Sequence, residues 1–158
     1  MQADKHQTHD VVVKLTSTDD PYAIALCARQ RDEILLTDPA LGPFADNIPD
    51  FIVLVRNGKA IACGGFRVIQ GEDSHIGEIK RVYVVPEARG RAVGTADFLM
   101  RELESRAISK GFRTLRLQTS KNMLAANRFY ERHGYRLVQN YGDYVECTFT
   151  ISYEKVVG

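Results

Sequence analysis

Cysteine is scarce in this chain, and net charge is nearly absent. The 158 residues hold three cysteines, Cys27, Cys63 and Cys147, odd in number and without metal-ligand spacing. They read as small core residues in a reducing compartment rather than a redox or nucleophilic set, and no metal is expected. A formal net charge of +1 gives no global field to attract nucleic acid or an anionic membrane, so any anion site must be local. The opening residues, MQADKHQTHD, are polar and lack the apolar run of a signal peptide. Nothing later is long enough to span a bilayer, which leaves the cytoplasm as the expected location. Two phosphate-binding motifs are also missing. Without Gly-x-x-x-x-Gly-Lys-Ser/Thr there is no P-loop, and without Gly-x-Gly-x-x-Gly a dinucleotide Rossmann site is unsupported.

What remains is a length suited to one domain with a proper core. We expect a flexible tail over residues 1–10 and a single domain over 11–158. Residues 11–15 have strand composition. Asp19-Asp20-Pro21 then reads as a helix start, a capping carboxylate before proline, for a helix reaching about Leu36. Residues 37–50 hold three of the five prolines and read as a long loop. Residues 51–56 and 60–69 flank Asn57-Gly58-Lys59 as an antiparallel hairpin. Residues 75–85 follow as a strand, with Glu78, Lys80, Val82 and Val84 predicted on one face and Ile79, Arg81, Tyr83 and Val85 on the other. Residues 95–110 carry Leu99, Met100, Leu103, Ala107 and Ile108 at helical spacing and stop at Gly111. The charges of that helix, including Glu104 and Lys110, read as a solvated face with local ion pairs. Residues 113–119 alternate as a half-buried strand and 122–133 form a further helix. Residues 135–139 and 144–153 are the last two strands. The order predicts an α/β (α+β) fold, a mixed sheet with helices on both faces.

One junction concentrates backbone freedom and charge. Between a strand ending at Val85 and a helix beginning at Thr95 lie Gly90, Gly94, Arg89 and Arg91. A helix that follows a strand directly turns its free amides and positive dipole end toward such a turn. Two readings stand: a cradle for phosphate or pyrophosphate, or an ordinary tight connection.

Arg89-Gly-Arg-Ala-Val-Gly94 resembles the Arg/Gln-x-x-Gly-x-Gly/Ala signature of the GNAT superfamily of acyl-CoA-dependent N-acyltransferases. A Val-x-Val-x-Pro strand end precedes it and an apolar helix follows. Downstream, Ala126-Asn-Arg-Phe-Tyr-Glu-Arg-His-Gly-Tyr135 resembles that family's second signature, Ala-x-x-Phe/Leu-Tyr-x-x-x-Gly-Phe/Tyr. The match spans residues 77–135, and the strand order around it also fits. Ala92 departs from the pattern, standing where glycine is usual.

The resemblance implies a mixed, mostly antiparallel sheet with a central splayed parallel strand pair, and acetyl-CoA as co-substrate. It implies an N-acetyltransferase moving an acetyl group to a primary amine by direct attack in a ternary complex. Pyrophosphate contacts fall on Arg89, Gly90, Arg91, Ala92, Val93, Gly94 and Thr95, and the pantetheine amides on Val82, Tyr83 and Val84. Asn127 is a further cofactor contact, while Asn122 either caps the last helix or contacts the cofactor. Tyr130 matches the tyrosine that protonates the departing thiolate, which a phenol at hydrogen-bond distance can do; read from its neighbours alone it is a core tyrosine beside Phe129. Glu78 stands at the offset of a family glutamate acting as general base, directly or through a water; read alone it is a surface glutamate paired with Lys80. His75 is a poorer candidate, and Gln118 stands where some relatives carry a carboxylate. Glu33 and Asp38 fall on the acceptor wall, either as a cation-binding pair or as a solvated helix face. Tyr141-Gly-Asp-Tyr144 either lines the acceptor pocket or is a plain hairpin turn. The acceptor is a small-molecule or protein amine, not nucleic acid, and a homodimer is open because dimers are frequent in the family. The alternative on the same fold is a non-catalytic acyl-CoA-binding or sensing domain.

Overall fold

A computed structural model describes residues 10–39 and 47–158. The expected tail over 1–9 and the middle of the proline-rich segment, 40–46, lie outside the described residues. The first strand, β1 (Val11–Thr16), leads into helix α1 (Pro21–Thr37). Asp20 caps that helix as its sequence predicts. Its carboxylate accepts the amides of Tyr22 (2.9 Å) and Ala23 (3.2 Å), and Pro21 follows where no donor is missed. Lys14 of β1 closes on the same carboxylate at 2.5 Å. Burial opposes the charge, but Lys14 and the two amides outweigh it and hold the carboxyl below its ordinary value of 3.8. A depressed native value stabilises the fold above the unfolded pKa, and that contribution is lost as pH falls below it. Asp20→Ala is therefore expected to cost about 1–2 kcal/mol at neutral pH. The difference from wild type should shrink below pH 3.8, which thermal melts at the two pH values will show.

β2 (Asp50–Arg56) and β3 (Lys59–Val68) form the expected hairpin, with Asn57 (φ 52°) and Gly58 (φ 74°) supplying the left-handed turn. Then follow β4 (Ile76–Val84), α2 (Thr95–Ser109), β5 (Thr114–Ser120), α3 (Leu124–Arg132), β6 (Arg136–Val138) and β7 (Thr150–Val156). Single 3-10 turns cover Pro86–Ala88 and Gly142–Tyr144. Among the described residues, the strands make one seven-stranded sheet in the order β1-β2-β3-β4-β5-β7-β6. Every neighbouring pair is antiparallel except the central β4–β5. Arg81 and Tyr83 reach Gln30 and Glu33 of α1, whereas a Cβ added at Gly64, across from Val82, would meet Leu103 of α2 at 2.9 Å. The two helices therefore cover opposite faces. Among the described residues no helix is long and apolar enough to cross a membrane.

Several expectations need correction. Leu99, Met100, Leu103 and Ala107 are fully buried, but Ile108 is 45% exposed. Nine residues past Leu99, it has come about 180° round the helix. Of the charges on α2, Glu102 and Arg106 pair locally at 3.7 Å, but Glu104 binds Lys155 and the Tyr135 hydroxyl, both at 3.0 Å. Lys110 likewise leaves the helix for Asp50 at 3.1 Å. The last strand begins at Thr150 rather than near residue 144. The Asn140 side chain takes the carbonyls of Cys147 and Thr150 (3.2 and 2.9 Å), so a side chain holds this stretch instead of a ladder. In β4 the predicted alternation is interrupted. The register to β3 shifts between Cys63 and Gly65, and Arg81 adopts φ 62°. This is a β-bulge, which bends the strand that carries it.

Candidate functional site

β4 and β5 pair at only three positions, Ile76↔Thr114, Gly77↔Leu115 and Glu78↔Arg116. Beyond Glu78 the two strands diverge, so Glu78 sits at the apex of a V-shaped gap. The Val85 amide donates to the Ile61 carbonyl of β3 at 2.9 Å, and by alternation Val82 and Val84 present their backbone to the gap. Their carbonyls are capped from within. Gln30 Nε2 donates to the Val82 carbonyl (2.9 Å) and Arg89 Nε to the Val84 carbonyl (2.8 Å). The amides on that edge have no β5 partner, a costly arrangement unless something accepts from them. Tyr83 points its side chain toward α1 instead.

At the far end of β4 the turn closes through the Gly94 amide and the Gly90 carbonyl at 3.1 Å. Gly90 (φ 116°) and Gly94 (φ 76°) use the left-handed freedom expected of them, and Ala92 needs none. Gly94 caps α2 without any side chain, so the first amides of the helix, from Thr95 on, lack an intrahelical partner. A Cβ added at Gly94 would meet nothing within 4 Å, and one at Gly90 only Val93 at 4.0 Å. The result is an open, amide-lined concavity at a helix N-terminus with the exposed Arg91 beside it. Arg89 contributes backbone here, because its side chain folds inward onto Glu33 at 2.7 Å.

Glu33, its side chain 37% exposed, is thus engaged by a cation of the protein itself. It also accepts the Tyr83 hydroxyl, and so ties α1 to β4 and to the turn. Burial opposes the Glu33 charge, but Tyr83 and Arg89 outweigh it and keep the carboxyl below its usual value. Burial first, and then Glu33, push the Tyr83 phenol up to about 12. Asp38 is likewise engaged, accepting Ser120 Oγ (2.6 Å) and Asn122 Nδ2 (3.4 Å). Asn122 does not cap α3; Met123 precedes that helix, with no side-chain cap.

On α3, Asn127 Nδ2 donates to the Ser120 carbonyl at 3.2 Å while its Oδ1 is buried and has no partner among the described residues. A buried amide oxygen without a donor costs about 1–3 kcal/mol. That makes it a ready acceptor beside the end of β5. Tyr130 is 8% exposed, its ring packed on Phe129, Tyr135 and Tyr153 with centroids 5.4, 5.9 and 6.1 Å away. Burial raises its phenol well above the ordinary value, so it stays protonated at neutral pH.

Glu78 is 5% exposed, not a surface glutamate. Lys80 does pair with it, at 3.5 Å, as does Arg67. Burial lowers the Lys80 pKa, with Glu78 opposing. The partner missed by sequence reasoning is Tyr141, whose hydroxyl donates to Glu78 Oε2 at 2.7 Å from a loop 63 residues away. Gln118 Nε2 holds that loop by the Tyr141 carbonyl at 2.9 Å. Among the described residues no hydrogen bond joins Glu78 to Tyr130. His75 lies outside, exposed, with Asp73 at 2.9 Å.

Known proteins resemble this chain in sequence and fold. A profile of the acetyltransferase (GNAT) family matches residues 13–135. The chain is 27% identical over 146 residues to an IAA acetyltransferase from Azospirillum brasilense, covering 92% of this chain and 90% of that protein. It is similar to the crystal structure of an inferred acyl-CoA N-acyltransferase from Klebsiella pneumoniae subsp. pneumoniae MGH 78578. That superposition has a TM-score of 0.77 at 26% identity, over 94% of this chain and 98% of that one. An N-acetylglutamate synthase from Neisseria gonorrhoeae, solved with coenzyme A and L-arginine, shares the fold at TM-score 0.69 and 14% identity. It does so over 93% of this chain and 33% of its own.

Proposed function

The chain belongs to the acetyltransferase (GNAT) family, and from that premise we propose that it transfers acetyl groups from acetyl-CoA to a primary amine. The observation that carries this reading is the gap between β4 and β5, which opens at Glu78 beyond a three-residue ladder. Its residues fit the co-substrate. The uncapped start of α2 offers amides to a pyrophosphate, the edge at Val82 and Val84 offers amides to a pantetheine chain, and Asn127 Oδ1 awaits a donor. Bound there, acetyl-CoA supplies a thioester carbonyl for attack.

The chain's own groups then handle protons. Glu78 takes the proton from the amine, directly or through a water, and Tyr130 donates one to the sulfur as the C–S bond breaks and the C–N bond forms. Holding amine and thioester together contributes the larger share of the rate. No acyl-enzyme is required, and the thiols of Cys27 and Cys63 are buried. A thiol-release assay with acetyl-CoA against amino acids, polyamines and peptide amines tests the reading. Amine-dependent release is expected, and Glu78→Gln should slow it about a hundredfold. Binding of acetyl-CoA with no turnover on any amine would favour a non-catalytic acyl-CoA-binding domain.

A further inference from the structure

We propose that Tyr141 is a positioning residue for Glu78, fixing the carboxylate by Oε2 so that Oε1 meets the acceptor amine or its bridging water. The inference rests on the base role given to Glu78 above. The contacts on the carboxylate are asymmetric. Tyr141 donates to Oε2 at 2.7 Å, whereas Arg67 and Lys80 both stand 3.5 Å from Oε1. The first distance is that of a strong, directional hydrogen bond to a charged group, and the others are at the limit of contact. One oxygen is held and the other is loosely attended, which leaves it free to turn to a proton.

Tyr141 is itself immobilised. Its carbonyl accepts Gln118 Nε2, its ring lies 5.5 Å from the Arg116 guanidinium, and Gln118 is braced by Ser152 Oγ at 3.2 Å. Ser152 in turn donates to Asn140 Oδ1 at 2.8 Å, so the loop after β6 is pinned to both β5 and β7. Arg116 is shared between Glu72 (3.1 Å) and Glu154 (3.3 Å), which keeps its charge from competing for Glu78. A wall residue that only shaped a pocket would need none of this. The groups facing Glu78 are thus Arg67 from β3, Lys80 from β4, its register partner Arg116 from β5, and Tyr141 from the loop. Burial, and then the Glu78 charge, raise the Tyr141 phenol far above its ordinary value, so it remains a donor and never takes the amine's proton.

Tyr141→Phe keeps the ring and removes only the hydroxyl. Its kcat, acetyl-CoA affinity and pH profile are measured beside Glu78→Gln and the double variant. Acetyl-CoA affinity should be unchanged and kcat should fall about tenfold. The acidic limb of kcat/KM should move up by about one pH unit, because a hydrogen bond to the charged form has been lost. The double variant should be no slower than Glu78→Gln alone. Gln118→Ala, which frees the Tyr141 carbonyl, should reproduce part of the same limb shift even if Tyr141→Phe folds poorly. A slow Glu78→Gln beside a Tyr141→Phe with wild-type rate and limb overturns this inference alone. Losses that multiply in the double variant overturn it too, since Tyr141 would then act elsewhere. A Glu78→Gln as fast as wild type overturns the base role and this inference together.

Discussion

Tyr130→Phe is expected to lower turnover about a hundredfold while acetyl-CoA binds with unchanged affinity. The substitution keeps the ring and its packing against Phe129, Tyr135 and Tyr153, so the scaffold of α3 should hold. What it removes is a hydroxyl whose pKa is raised by burial alone, with no charge or hydrogen bond among the described residues contributing. A nearly buried phenol without a partner contributes little to folding and is free for a bound group. Burial raises its pKa well above the ordinary value, so it is protonated throughout the working range. It would act as a donor to a sulfur that becomes basic only as the C–S bond breaks. An interaction of that kind appears in kcat and not in ground-state binding. It also means that no basic limb below about pH 10 should disappear from the rate profile in the variant. Thiol release at saturating amine, with calorimetry for the acetyl-CoA complex, separates the two quantities. Equal rates in wild type and variant would end the acid assignment.

The parts of the fold legible in the sequence are those with short-range causes. Asp20-Pro21 starts α1, Asn57-Gly58 turns the hairpin, and Gly111 and Gly134 (φ 96° and 87°) end two helices, each within a few residues of its signal. The turn over residues 89–94 was legible as a possible anion site, because glycine spacing is local. Arg81 was not. Its φ of 62° arises where β4 gains a residue against β3, and nothing in its own neighbourhood demands it. The same holds for charge. Glu33 and Asp38 look solvated on a helix, yet Glu33 meets Arg89 from 56 residues away and Asp38 meets Ser120 from 82. Tyr141 and Glu78 are brought together only by β7 inserting between β5 and β6, a topology that no local pattern encodes. Local motifs therefore pointed to the residues proposed for the cofactor, and side-chain pairing across the sheet sets the surroundings of those proposed for the acceptor.

Gly94→Val is expected to weaken acetyl-CoA binding by about a hundredfold or more while the protein still folds. Two positions show why binding and folding separate here. At Gly65 an added Cβ would lie 2.6 Å from the Asp50 carbonyl and 2.7 Å from Ile48, so substitution there is a folding lesion. At Gly94 an added Cβ meets nothing within 4 Å, and the folding cost comes only from its φ of 76°. That cost is about 1–3 kcal/mol, toward the upper end for a β-branched side chain. The empty space is the concavity in front of the unpaired amides of α2, where the proposed pyrophosphate needs the backbone bare. Valine would fill it and push the phosphates beyond hydrogen-bond distance of Thr95 and its neighbours. Gly94→Ala should fall between, with the same left-handed strain but less bulk, and so divides strain from crowding. A melting curve paired with an acetyl-CoA titration for each variant reads both terms. If Gly94→Val binds acetyl-CoA as wild type does, the pyrophosphate lies elsewhere and the turn is only a connection.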